Sequence, residues 1–155
     1  MAKQNNFSNS HKLKLLRIDT TQLAIRDERV GTVIDWTKPA ALPFAPASVL
    51  GVVCIHGAMF TLVDPRVLLE GEAYVPPTSR TFIVALRGDE QLALSVDQVE
   101  EAVNVSPDQI ELITEQPTGL CIGSFSMNGS KIPVINPDAI FSHAMRGRER
   151  RRRRS

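Results

Sequence analysis

Aromatic side chains make up only 5% of the 155 residues. That scarcity argues against a stacking platform for single-stranded nucleic acid and for a core of Val, Leu, Ile and Ala. Cysteine is scarcer still. Cys54 and Cys121 show no Cys-x-x-Cys spacing, and their apolar contexts predict two buried free thiols. The polar N-terminus MAKQNNFSNSHK lacks the apolar core of a secretory signal, so neither secretion nor disulfides are expected. The expected address is cytoplasmic.

Charge is absent from one place in particular. Pro39 to Val63 contains no Asp, Glu, Lys or Arg, a length that could span a bilayer. Pro39, Pro43, Pro46, Gly51 and Gly57 interrupt it, and bends there would leave backbone polar groups unsatisfied in lipid. The stretch therefore reads as buried loop and strand.

The formal net charge of +1 hides an asymmetry. Seven arginines (Arg146, Arg148 and Arg150 to Arg154) stand against Glu149 at the C-terminus. Setting these aside, residues 1–145 carry 11 basic and 16 acidic side chains, a net charge of −5. An arginine cluster can attract phosphate backbones or anionic lipid, yet adjacent like charges more often form a solvated, disordered end. The expected organisation is a disordered tail over 1–12, a folded domain over 13–145 and a disordered Arg-rich tail over 146–155.

What is present is a pattern of short strands that occurs twice. LKLLRI and TQLAI flank DTT as two strands and a turn. RTFIVAL and EQLALSVD flank RGD in the same way, and Leu92, Leu94 and Val96 alternate with Ala93, Ser95 and Asp97 as in a half-buried strand. QLAI at 22–25 matches QLAL at 91–94, and Val30 then falls opposite Val99. FTLVDPRVLL and KIPVINPDAIF align further on, pairing Gly57 with Gly129 and Asp64 with Asn136. Asp64 and Asn136 are preferred helix N-caps, each followed by a proline suited to the first helical position, and Gly71 supplies a stop. A repeat of about 70 residues with many short strands implies two similar small β-barrels packed together.

Cys54, His56 and Asp64 lie close in sequence and invite a metal or triad reading. Positions 54 and 56 of a strand share a face, but Asp64 is already employed as a cap. A structural zinc site wants four ligands, usually in paired spacings, and His11 and His143 fall near the ends of the chain. Cys54 between Val53 and Ile55 reads as buried rather than as a reactive thiolate. No serine elbow, phosphate-binding glycine loop or dinucleotide fingerprint is present. No catalytic residue, cofactor or metal ligand is expected, and nucleic-acid binding rests on the arginine tail alone.

The ordered set VGTVIDW, PAALPFAPASVLGVVCIHGAMFTLVDPRVLL and RTFIVALRGDEQLALSVDQVEEAVNVSPDQI resembles the CheW-like family over roughly Leu13 to Phe141. The family pattern is a proline-containing segment, a Gly-Val strand, an apolar residue with Arg-Gly, and a strand ending in Asp. Here it stands as Pro43, Pro46, Gly51-Val52, Ile55-His56-Gly57 and Leu62–Asp64, with Val96-Asp97-Gln98-Val99 in the second half. The resemblance implies an all-β fold with short helices, two five-stranded SH3-like barrels around a shared core. It also implies a non-catalytic adaptor coupling chemoreceptor tips to the regulatory domain of a CheA-type histidine kinase, with association with itself or a paralogue in arrays as a further implied contact. Carried over by position, Val30, Thr32, Gly51, His56 and Gly57 are the implied protein-binding residues. His56 stands where the family usually has Arg, Thr32 where it often has an acidic residue, and Pro65 where an apolar residue commonly follows the Asp. Those departures leave open a CheW-like scaffold of another motility or signalling system.

Overall fold

The computed structural model describes residues 10–71, 74–112 and 119–144. Twelve strands follow one another, with a helix α1 (Pro65–Glu70) after the fifth and 3-10 turns at 27–29, 107–109 and 137–139. The chain is helical again over 140–144. The strands are β1 (His11–Ile18), β2 (Thr21–Arg26), β3 (Val30–Asp35), β4 (Val49–Ile55), β5 (Ala58–Val63), β6 (Phe82–Leu86), β7 (Leu92–Val96), β8 (Gln98–Val99), β9 (Val103–Val105), β10 (Glu111–Leu112), β11 (Cys121–Met127) and β12 (Ser130–Ile135). β1 begins two residues earlier than the pattern suggested, because His11 and Lys12 pair with Val105 and Asn104. Residues 1–9 and the arginine tail lie outside the described residues.

The strands form a five-stranded sheet, β3-β6-β7-β5-β4, and a seven-stranded sheet, β10-β11-β12-β2-β1-β8 with β9 also on β1. Five strands were expected in each. The second sheet counts seven because its counterpart of β3 is broken into β8 and β9, both paired with β1, and because β10 adds a short ladder on β11. In the first sheet an isolated bridge between Ala40 and Val52 stands where β10 stands in the second. Each bridge or ladder ties the chain following one edge strand back to the other edge.

The repeat is real, but the halves do not make separate barrels. Hairpin β1–β2 joins the sheet of the second half through a parallel contact of β2 with β12, Ala24 beside Val134. Hairpin β6–β7 joins the sheet of the first half through a parallel contact of β7 with β5, Leu92 to Leu94 beside Thr61 to Val63. The two halves have exchanged hairpins.

The exchange explains the core. Leu13 and Leu15 of β1 fill the seven-stranded barrel with Phe125, Ile132 and Val134, while Leu16 and Ile18 enter a shared core with Val84, Leu92, Leu94, Ile135 and Ile140. On β7 every residue is buried, not alternate ones. Ala93 packs inside the five-stranded barrel, Ser95 reaches the Asp64 carboxylate at 3.5 Å, and the remaining residues face the shared core.

Where the two barrels meet, one arginine organises the backbone. The Arg80 side chain is 1% exposed. Its Nε donates to Asp64 Oδ2 at 3.1 Å, its Nη1 to Asp19 Oδ1 at 3.1 Å and Asp97 Oδ2 at 3.2 Å, and its Nη2 to the Tyr74 hydroxyl at 2.7 Å. Asp64 is itself 1% exposed and caps α1, accepting from the Arg66 and Val67 amides, with Pro65 at the helix start and Gly71 (φ +86°) at its end. Arg66 donates to Asp19 at 2.8 Å, also pairs with Glu70, and lies over the Tyr74 ring. Burial alone would lower the Arg80 pKa, but Tyr74, Asp64 and Asp19 outweigh it and hold the guanidinium more firmly charged than usual. The Tyr74 hydrogen bond, with those of Arg66 and Arg80, keeps the Asp19 carboxyl below the ordinary aspartate range against the opposing effect of burial.

Removing Arg80 would leave a buried carboxylate without its partner, which typically costs about 3–5 kcal/mol. Arg80→Met is expected to lower the thermal midpoint by about 10 °C in a chain of this size, measured by circular dichroism; a change within about 2 °C would contradict the role given to this cluster. Acid acts through the same cluster. Because the folded pKa of Asp19 is depressed, its stabilisation is present above the unfolded value near ~3.9 and is lost as pH falls through the folded value. The stability gap between the parent protein and Asp19→Asn should therefore be widest near neutrality and close below about pH 4, in denaturant titrations run across pH.

Candidate functional site

The family-matched positions fall on one barrel, the five-stranded one, but with different roles. Hairpin β4–β5 turns through His56 (φ +48°) and Gly57 (φ +82°), two consecutive left-handed residues, the requirement of a tight I′ hairpin turn. Asn128 and Gly129 (φ +52° and +80°) make the same turn between β11 and β12. His56 is therefore an exposed turn residue at the hairpin tip rather than a strand residue sharing a face with Cys54.

Gly51 is buried at a bulge of β4, next to Val52, which bridges to Ala40. A Cβ there would lie 2.3 Å from the Ala40 carbonyl oxygen, and its φ of +145° favours glycine in any case. Gly123 holds the matching place, its Cβ position 2.6 Å from the Glu111 carbonyl oxygen. Gly51 thus meets a backbone requirement: close approach of the chain that seals the sheet. Val30 is half-buried at the start of β3, opposite Leu86, and packs on the shared core. Thr32 is exposed within the irregular stretch between Val30 and Val33.

β3 and β4 lie at opposite edges of their sheet and share no ladder, so Thr32 and His56 do not sit on paired strands. The repeat nevertheless relates them. In the other barrel their counterparts, Glu101 and Asn128, line one open groove of about 480 Å³ with Arg17, Gln22 and Glu100. There Glu100 accepts from Gln22 Nε2 at 2.6 Å and pairs with Arg17 at 3.3 Å. At the corresponding positions the five-stranded barrel has Thr32 in place of Glu101 and His56 in place of Asn128.

Cys54 was expected in the core, and it is exposed. Val53 and Ile55 take the inward positions of β4, and strand alternation sends Cys54 outward, opposite Met59, which is 55% exposed. Apolar neighbours on both sides hid that parity. Cys121 is buried as expected, and burial pushes its thiol pKa up. Asp64 caps α1 as expected, and Asn136 caps the 3-10 turn at 137–139 by accepting from the Asp138 amide at 3.1 Å. Asp64 sits in the Arg80 cluster at the far end of β5 from the turn that holds His56, so Cys54, His56 and Asp64 do not converge. Among the described residues no group of three or more His, Cys, Asp or Glu is placed to hold a metal ion, and no helix is long and apolar enough to cross a membrane.

Two features escaped the sequence reading. The Arg80 cluster draws on Asp19, Asp64, Tyr74 and Asp97, far apart in the chain; the one signal was an arginine directly before an apolar strand. The other is a set of exposed apolar side chains within the charge-free segment, Leu42 (43% exposed), Phe44 (89%) and Met59. The absence of charge over Pro39–Val63 was the cue. It reflects an exposed face as well as a buried one.

Comparisons with known proteins agree with this architecture. A CheW-like domain model matches residues 12–145. The chain is 26% identical over 134 residues to the chemotaxis protein CheW of Rhizobium meliloti, covering 84% of this chain and 86% of that protein. It is 25% identical over 105 residues to the chemotaxis protein CheW of Bacillus subtilis, covering 67% of each. The crystal structure of the scaffolding protein TtCheW from Thermoanaerobacter tengcongensis superposes with a TM-score of 0.67 at 16% identity, over 81% of this chain and 88% of that one. With a family model spanning nearly all of the described residues and two barrels sharing one core, the chain belongs to the CheW-like family.

Proposed function

We propose that the protein is a non-catalytic, cytoplasmic adaptor of chemotaxis-type signalling that couples chemoreceptor tips to the regulatory domain of a CheA-type histidine kinase. The observation that carries this reading is the β4–β5 hairpin. It presents His56 and Gly57 at an exposed tight turn, within a segment that holds no Asp, Glu, Lys or Arg from Pro39 to Val63 and that exposes Leu42, Phe44 and Met59. Such a surface has little to offer a small substrate and much to offer another protein, since docking surfaces place apolar side chains where charge is depleted. Gly51 serves the hairpin through its bulge and Val30 packs on the shared core from the other edge of the sheet, while Thr32, His56 and Gly57 are the contact candidates.

A second reading draws on Thr32 and His56. Thr32 and His56, where the family pattern often has an acid and usually an arginine, suit a kinase or receptor of altered complementarity, as in another motility or signalling system.

The deciding measurement is a pull-down with the cognate kinase's regulatory domain and a receptor cytoplasmic fragment. Both should be retained; folded protein that retains neither would sink the coupling reading. His56→Arg is expected to strengthen or broaden binding to one of them, and unchanged affinity for both would make His56 peripheral. Deleting 146–155 should leave kinase binding intact. Loss of all binding on that deletion would instead favour a protein that acts on nucleic acid or anionic membrane through Arg146–Arg154.

A further inference from the structure

Phe44 is 89% exposed and adopts φ +61°. It occupies the third position of a turn in which the Ala45 amide donates to the Leu42 carbonyl at 3.4 Å, after Pro43. Glycine or Asn is preferred at a left-handed position of this kind, so a phenylalanine there is both strained and solvated. Pro43 and Pro46 fix φ on either side of it. The same loop borders an apolar groove of about 260 Å³. Leu42 and Pro46 line the groove from the loop, Val63 and Leu92 from the sheet, and Phe141 (45% exposed) and Ala144 from the helical stretch over 140–144. None of the residues that line it is charged. It lies at the open end of the β4–β5 hairpin, where Val49 pairs with Val63, away from the turn that holds His56.

Beyond Ala144 the chain enters its most basic segment. Arg146 and Arg148 come two and four positions later, within about 14 Å of Ala144 even in a fully extended chain. Residues 146–155 hold seven arginines against Glu149, a net side-chain charge of +6, whereas residues 1–145 carry −5. Such a molecule is electrically two-ended. An anionic surface repels the body and attracts the arginines, so it is approached from the arginine side. On that side stands the groove, with an uncharged lining and three exposed apolar side chains, Leu42, Phe44 and Phe141, around it.

We propose that this face binds the surface of an anionic lipid bilayer. Phe44, Leu42 and Phe141 enter the boundary between headgroups and acyl chains, and the arginines of 146–154 pair with lipid phosphates. Peripheral attachment of this kind adds buried apolar area to electrostatic attraction, and basic side chains near an anionic leaflet contribute roughly in proportion to their number. Nucleic acid is a poorer occupant. Its phosphates would meet the arginines, but the uncharged groove offers them no cation, and a body of net charge −5 opposes their approach. A bilayer takes up both the apolar side chains and the arginines. This inference stands apart from the kinase and receptor reading, because it needs neither protein.

The test is co-sedimentation of the full chain with vesicles of pure phosphatidylcholine, and with vesicles of equal parts phosphatidylcholine and phosphatidylglycerol. The parent protein should bind the anionic vesicles and not the neutral ones, and less tightly as salt rises. Deleting 146–155 should weaken binding at least about tenfold, since every guanidinium of the segment leaves the surface. Phe44→Gly keeps all the arginines and should weaken binding at least about fivefold through lost apolar burial. Its thermal midpoint should hold or rise, since glycine relieves the strain at φ +61°; a variant that merely misfolded would move the other way. The vesicles contain neither receptor nor kinase, so a failure here is distinct from a failure of the pull-down. No binding to anionic vesicles, or binding indifferent to Phe44→Gly, would overturn the proposal. Tighter binding to a DNA duplex or a single-stranded oligonucleotide than to the vesicles would overturn it too, and would assign the arginines to nucleic acid.

Discussion

Two parallel strand contacts hold this architecture together: β2 beside β12, and β5 beside β7. Every other ladder among the described residues is antiparallel. These two occupy equivalent places in the repeat, and each joins a hairpin from one half of the chain to the closing strand of the other. Because the hairpins are lent across, each has one face inside a barrel and one in the shared core. That is why β7 is buried throughout, and why β1 divides its leucines between two clusters. Separate halves would leave one face of each hairpin in water.

Exchange makes the two ends of the molecule similar, and polar side chains make them different. At one end the cap of α1 is fixed by Arg80 through a fully buried ion pair. At the other, the Asn136 cap is half-buried and its turn is held by a surface pair, Arg29 with Asp138 at 2.9 Å. A buried pair is costly to break and a surface pair contributes little. One end is therefore built as a fixed frame around α1, and the other as a lighter closure beside the groove.

Much of the fold was legible in the sequence because the repeat carries its own punctuation. Gly57 pairs with Gly129, and Asp64-Pro65 with Asn136-Pro137 as matching caps, while the turns at His56 and Asn128 and the bulges at Gly51 and Gly123 emerged only in the structure. What could not be read was which hairpin joins which barrel, since strand pattern specifies a buried face and not the partner that buries it. The side of β4 on which Cys54 falls was hidden for a related reason: apolar residues on both faces erase the alternation that sets parity. The candidate site was legible only as positions. Gly51 proved to serve the backbone and Val30 the core, whereas His56 and Gly57 proved to be an exposed turn. Arg80 was illegible because its partners lie between 6 and 61 residues away in the chain.

The lending of hairpins also sets an order of assembly during synthesis. Strands β3, β4 and β5 are made early, yet their barrel cannot close until residues 82–96 have left the ribosome. The first hairpin waits longer, for β11 and β12 near the end of the chain. Until β11 and β12 have followed, the apolar face of Leu13 and Leu15 lacks the strands that cover it in the folded protein. A nascent chain of this design depends on rapid completion or on a holding chaperone, and a ribosome stalled near its middle would display an unfinished, adhesive sheet.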